Sequence, residues 1–213
     1  MIPVLFITHN RLDYSKQALQ ALLDARNCAV VVIDNASTDG TAEWLKTLHR
    51  SNLEVIFNEK NIGVSGAMNQ FLELTKDDEW VGKVDNDTIV PIDWANKLIE
   101  QAEKHGLDII QAKHHIIEAT NKRGWEGFTE DMPEIAQGLY LHNFVGGSGI
   151  VFRRNIIKEP LPKTDWILGG WYDWQLAHPE VKKAFYEGVE IKLLDEKGYG
   201  DYPEYYKTTK RIS

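Results

Sequence analysis

Apolar residues in the first half of the chain follow two alternating patterns. Short runs rich in Val and Ile occupy 3–8, 29–34, 53–57 and 80–85, lengths that suit strands buried on both faces. Between them apolar residues recur at helical spacing. Ala18, Leu19, Leu22 and Leu23 share a face within 13–26, Trp44, Leu45 and Leu48 within 41–48, and Met68, Phe71 and Leu72 within 65–75, where Ser65 is the expected N-cap. Strands alternating with helices predict an α/β fold, with right-handed crossovers and a central, mainly parallel sheet flanked by helices.

Further along, Pro91 opens a predicted helix running to about His105, and 108–112 reads as a strand. The stretch 113–138 is loop-like, interrupted by Gly124, Gly127 and Pro133. Strands are expected at 139–144 and 148–152, flanking Gly146 and Gly147, then a helix over 171–186 and a strand over 189–194. The last segment, 198–213, is polar and aromatic without a period; it either folds over a site or leads into a further domain. No repeat or low-complexity linker divides the chain, so one domain spanning 1–213 is expected.

Composition narrows the function classes. The 213 residues suffice for one substantial core, and 43% hydrophobic with 26% charged residues is ordinary for a globular protein. A formal charge of -8 argues against nonspecific nucleic-acid binding, which needs clustered Lys and Arg. An anionic ligand would need local positive charge, and a divalent cation is one source. Cys28, the sole cysteine, excludes an internal disulfide and reads as a buried structural thiol; it leaves the redox compartment open, a reducing one fitting best. The N-terminal apolar run is too short for a signal sequence or a bilayer span, and no other segment does better. The expectation is a cytoplasmic protein without a transmembrane segment.

In an open α/β sheet, ligands bind beyond the carboxyl ends of the strands. The polar clusters fall there: Thr8, His9, Asn10 and Arg11 after the first run, Asp34 and Asn35 after the second, Asn58, Asn61 and Gly63 after the third, and Asp85, Asn86 and Asp87 after the fourth. Asp85 and Asp87 can aim oxygens at a common hard cation, whose shell readily accepts phosphate oxygens. Taken alone, a D-x-D reads more readily as a solvated turn rich in Asp and Asn. Asp34 is delivered from a buried strand into the same crevice, where a carboxylate or amide can accept the ring N–H of a uracil or thymine. It is also readable as a simple turn before a helix. The chain has no G-x-G-x-x-G or P-loop pattern, no G-x-S-x-G elbow and no His pair at metal-ligand spacing. Seven Trp and eight Tyr offer flat faces for sugars or bases, or simply fill the core.

Taken together, PVLFITHNR, VVIDNASTDGT, NEKNIGVSGAMNQ, VDNDTIVP, FVGGSGIVFRR and GGWYDWQLA resemble the GT-A glycosyltransferases of family 2, in that family's order, over 3–177. DNAS and the run from Asn61 to Asn69 lean toward the branch with rhamnosyl- and galactofuranosyltransferases. The resemblance implies a GT-A fold, with a Rossmann-like nucleotide-sugar-binding half at 1–112 and an acceptor and catalytic-base half at 113–213. It implies that Thr8, Asn10, Arg11, Asp34 and Asn35 contact the nucleoside, that Asn61, Asn69 and Lys83 lie near the diphosphate or sugar, and that Asp85, beside Asn86, lies near the ribose or donor sugar. It makes Asp87 the direct ligand of Mn²⁺ or Mg²⁺. Asn35 stands where a second Asp is usual, and no His follows His178 to serve as a late metal ligand.

Inverting transfer needs one carboxylate opposite the leaving diphosphate. The resemblance places that base at Asp173, with Gly146, Gly147 and Trp171 near the acceptor or donor sugar. Without the upstream motifs Asp173 would read as a carboxylate favoured at a helix N-terminus, and Asp165 and Asp201 are alternatives. The function expected is metal-dependent, inverting transfer of a hexose, glucose or rhamnose leading, from a UDP- or dTDP-sugar to a hydroxyl on a glycan or glycoprotein. A sugar nucleotidyltransferase and a noncatalytic nucleotide- or sugar-binding module are the rivals.

Overall fold

A computed structural model of the chain describes residues 1–114, 133–163 and 169–194. The first half alternates as expected: β1 (Ile2–Thr8), α1 (Leu12–Leu23), β2 (Cys28–Asp34), α2 (Thr41–Lys46), β3 (Leu53–Phe57), α3 (Gly63–Leu74) and β4 (Trp80–Asp85). There follow β5 (Thr88–Ile89), α4 (Trp94–His105), β6 (Ile109–His114), β7 (Glu134–Ala136), β8 (Leu139–His142), β9 (Ile150–Arg153), α5 (Gly169–Ala177) and β10 (Lys183–Leu193).

The strands form one sheet in the order β3-β2-β1-β4-β9-β6-β10-β8-β7, with β5 beside β10. Pairing is parallel from β3 through β4 and between β6 and β10, while β9 is antiparallel to both β4 and β6. β6 and β10 therefore run with β1 to β4, and the sheet is mixed but mainly parallel in direction. This is the predicted α/β class. The described strands of the second half join the same sheet.

Alternation along each strand divides the core. Val4, Phe6, Val30 and Val32 face α1, α2 and α4, packing with Leu19, Leu22, Leu45, Trp94 and Leu98. Leu5, Ile7, Val31 and Ile33 face the other way, onto Met68 and Phe71 of α3 and Trp171 and Trp174 of α5. Large side chains such as Phe6 and Phe71 are fully buried, each worth roughly 2–3 kcal/mol of apolar transfer. Cys28 is free and buried, and burial pushes its thiol pKa up to about 11.

Several local expectations are corrected. Ser65 is no N-cap: α3 begins at Gly63, whose N–H donates to Asn61 Oδ1 at 2.9 Å, so Asn61 satisfies that end. The helix expected over 171–186 stops at Ala177, because Pro179 lacks an N–H and disfavours helix at His178. Residues 183–193 form one long strand that pairs with β6 and β8, with a register shift between Tyr186 and Glu190. Helix α4 starts at Trp94 rather than Pro91. The predicted loop contributes Lys113 and His114 to β6 and holds β7 at its far end. Residues 115–132, Asp165 and Asp201, and the segment 198–213 lie outside the described residues.

Candidate active site

Strand β1 lies between β2 and β4, so the chain reverses direction across the sheet at β1. Such a switch point opens a crevice at the carboxyl ends of the strands. Thr8 closes β1, Asp34 closes β2 and Asp85 closes β4, aligned by the register Thr8 with Asp34 and Ile7 with Asp85.

After β1 the backbone turns through two consecutive left-handed residues, Asn10 (φ 60°) and Arg11 (φ 64°). A bulky side chain in that region carries local strain and is found where surrounding contacts hold it. Here Asn10 N–H donates to Ser37 Oγ (2.7 Å), and Thr38 N–H donates to Asn10 Oδ1 (2.7 Å). Asn86 Nδ2 reaches Asn10 O (3.4 Å), Thr8 Oγ1 (3.5 Å) and Ser15 Oγ (3.3 Å). The turn thus presents Arg11 to Asp87, at 3.1 Å, with the guanidinium 4.4 Å from the Tyr14 ring centre.

The two carboxylates of the acidic motif each face a cation. Lys83, buried at 3% exposure, places Nζ on Asp85 Oδ1 and Gly147 O. Asp85 remains 40% exposed at its side chain and Asp87 22%. The crevice is therefore less negative than its Asp count suggests. Asp34 and Asn35 are buried and engaged within the protein. Asp34 accepts from Ser37 N–H (3.1 Å) and Ser37 Oγ, while Asn35 donates to Gly63 O (3.3 Å) and accepts from Asn58 Nδ2 (2.9 Å). Thr8, 1% exposed, likewise bonds inward to Ser15 Oγ (3.0 Å).

Just beyond the Asp34–Asn35 turn, Asp39 ties it to two helices. Its carboxylate accepts from Leu12 N–H (2.9 Å), Thr41 N–H (3.0 Å) and Thr41 Oγ1 (2.6 Å). Burial pushes its pKa up, but these bonds outweigh it and hold the carboxyl below its ordinary value.

Asn61 precedes α3 and Asn69 lies on it. They line a groove of about 530 Å³ beside α3, together with Arg154, Lys158 and Lys163, and none of the acidic-motif residues lines it. Asn69 clamps Leu161 from both sides, donating to its carbonyl (3.0 Å) and accepting from its N–H (2.8 Å).

The turn 145–148 joins the acidic strand end to α5. Ser148 Oγ accepts from Asp85 N–H (2.9 Å) and donates to Thr88 Oγ1 (2.8 Å). Gln111 accepts from Gly146 N–H (2.7 Å), and a Cβ at Gly146 would lie 2.7 Å from Gln111 Nε2, so the missing side chain makes room for that amide. At Gly147 the nearest atom to such a Cβ is Lys83 Nζ, at 3.4 Å. Trp171 donates from Nε1 to Val145 O (3.2 Å) and Gly146 O (3.3 Å). It is 5% exposed and packed against Trp174 and Phe152, so its ring faces serve the core and it meets the site only through its N–H. Asp173 is exposed on α5, whose neighbours Trp171, Trp174 and Gln175 are buried.

Sequence reasoning misses Gln111, Gln175 and the side-chain role of Ser148. For the glutamines the available signal is an amide inside an apolar stretch, IIQA and DWQLA.

Among the described residues no three His, Cys, Asp or Glu side chains are grouped to hold a metal. Asp85 and Asp87 together supply hard oxygen donors of the kind that bind a cation whose shell is completed by substrate phosphates and water, so the residues fit that mode and not an all-protein cage. No described helix is long and apolar enough to cross a membrane.

Residues 4–159 match the model of the family described as Glycosyl transferase family 2. No curated protein sequence matches the chain. Among solved structures, S. aureus TarS 1–349 in complex with UDP-GlcNAc superposes with a TM-score of 0.66 at 18% identity, covering 98% of this chain and 65% of that one. The mannosyltransferase PcManGT from Pyrobaculum calidifontis, in complex with GDP-Man and Mn²⁺, gives 0.67 at 18% identity, over 90% of this chain and 56% of that one. A longer S. aureus TarS chain gives 0.66 at 19%, over 90% and 36%. At these identities the likeness is one of fold, and the chain spans less than two thirds of each of these proteins.

Proposed function

Because the chain belongs to glycosyl transferase family 2, we propose that it is an inverting glycosyltransferase moving a hexose, with glucose and rhamnose the leading candidates, from a UDP- or dTDP-sugar to a hydroxyl of a glycan or glycoprotein. The observation that carries this reading is the meeting of the Asn10–Arg11 turn, the Asp34–Asn35 turn and the Asp85–Asn86–Asp87 strand end at the switch point of the sheet. The neighbours crystallised with UDP-GlcNAc and with GDP-Man and Mn²⁺ support a nucleotide-sugar donor and a divalent cation.

In this reading 1–112 binds the donor and 113–213 supplies the acceptor side and the base. Asn10, Asp34 and Asn35 shape the nucleoside pocket, with Asp34 and Asn35 acting as its rigid wall since their own polar atoms are engaged internally. Arg11 and Lys83 bring positive charge toward the diphosphate. Asp87, with Asp85, would hold Mn²⁺ or Mg²⁺, which when bound offsets the charge gathering on the leaving diphosphate. Asp173 takes the proton of the acceptor hydroxyl while that oxygen attacks the anomeric carbon in line. The bond from that carbon to the diphosphate oxygen breaks, its electrons leave with the nucleoside diphosphate, and the configuration inverts. The location that goes with this reading is the cytoplasm.

The test is a panel of UDP-, dTDP- and GDP-hexoses, assayed for release of nucleoside diphosphate with Mn²⁺, Mg²⁺ or chelator. Cation-dependent release from a UDP- or dTDP-hexose supports the reading. Binding without release from any donor would favour a noncatalytic module.

A further inference from the structure

Two buried glutamines from different elements grip the turn 145–148. Gln175 on α5, 1% exposed, accepts from Val145 N–H (3.0 Å) and donates to Val145 O (3.0 Å). Gln111 on β6, 4% exposed, accepts from Gly146 N–H (2.7 Å) and donates to Ser148 O (3.3 Å). A carboxamide offers one acceptor and two donors in a plane, so each side chain matches an N–H and a C=O of the turn. The turn also carries Lys83 Nζ on Gly147 O and Ser148 Oγ on Asp85 N–H. The turn is thus bonded by side chains to the strand that ends in Asp85 and to the helix that carries Asp173.

We propose, resting on the function above, that Gln111 and Gln175 are positioning residues that set the place of Asp173 relative to the acidic strand end through this turn. Buried polar groups left unsatisfied are costly, so a turn whose backbone is matched by both glutamines has one favoured seating. In-line transfer demands that seating, because a displacement of roughly 1 Å at the reacting groups costs about a hundredfold in rate. Neither glutamine need touch substrate. Their effect falls on turnover and leaves donor binding, which belongs to the strand ends, in place.

The test compares Gln175→Met and Gln111→Met, which keep volume and remove the amide, with Val181→Ala, a truncation in the same core that touches none of these bonds. Hydrogen exchange of the 145–148 amides, UDP affinity by calorimetry, thermal unfolding, and kcat and KM for the active donor are measured on each. The proposal predicts faster exchange in both glutamine variants, UDP affinity within about twofold of the parent, donor KM little changed and kcat lower by about tenfold or more. Val181→Ala should lose comparable thermal stability and keep kcat. Unchanged exchange, retained kcat in the glutamine variants, or an equal kcat loss in Val181→Ala would overturn it. If Gln175→Met does not fold, Gln111→Met carries the same comparison from the sheet side. A parent protein inactive with every donor overturns the function proposed above, whereas an active parent with undiminished glutamine variants overturns only this inference.

Discussion

Asp85 and Asp87 stand two residues apart yet meet different partners, Lys83 and Arg11. That pairing lowers the repulsion an incoming diphosphate would meet, and a cation bound at Asp87 would lower it further. Two unit charges about 4 Å apart interact by roughly 4 kcal/mol at an effective dielectric of 20, enough to dominate nucleotide affinity. Calorimetry should therefore show UDP binding at least about tenfold tighter with Mn²⁺ than with chelator, and Asp87→Ala should erase the difference. Equal affinity in all three conditions would remove Asp87 as a ligand. The placing of Asp85 and Asp87 at a strand end was legible because polar residues closing an apolar run mark where a buried strand emerges. Gln111 and Gln175 were not, since their partners lie 35 and 30 residues away in sequence. Trp171 illustrates the same limit: an aromatic beside a motif reads alike whether its faces meet a sugar or, as here, Trp174 and Phe152.

Helix ends depend on single side chains. Asp39 accepts from the first residues of both α1 and α2, joining two helices that flank the crevice. Asp39→Ala should lower stability by about 1 kcal/mol in urea unfolding at pH 7, as loss of a cap does. Because the folded-state pKa is depressed, that contribution is present above the unfolded value of about 4 and is lost as pH falls below it. The gap between parent and variant should close in acid; a gap that persists there would assign the effect to something other than the carboxylate. Strand and helix identity in the first half was legible because the strands are short continuous runs rich in Val and Ile, whereas the segments between them repeat apolar residues at helical spacing. The end of α5 was missed because the apolar residues after Ala177 kept a helical spacing, while Pro179 decided the matter locally.

Across the whole molecule, one sheet carries both the crevice at the strand ends and strands that pack against α5, so the proposed donor site and the proposed base share one frame. The α/β class and the meeting of the β1, β2 and β4 ends were legible because strand order in an alternating chain follows from few topologies. The insertion of β9 between β4 and β6 was not, since pairing across that distance leaves no local signal. The most direct measurement is Asp173→Asn, which keeps the side-chain shape and removes the basic oxygen. Cation-dependent UDP binding should match the parent while sugar transfer falls by about a hundredfold or more. Transfer near the parental rate with binding intact would contradict the account and move the base away from α5.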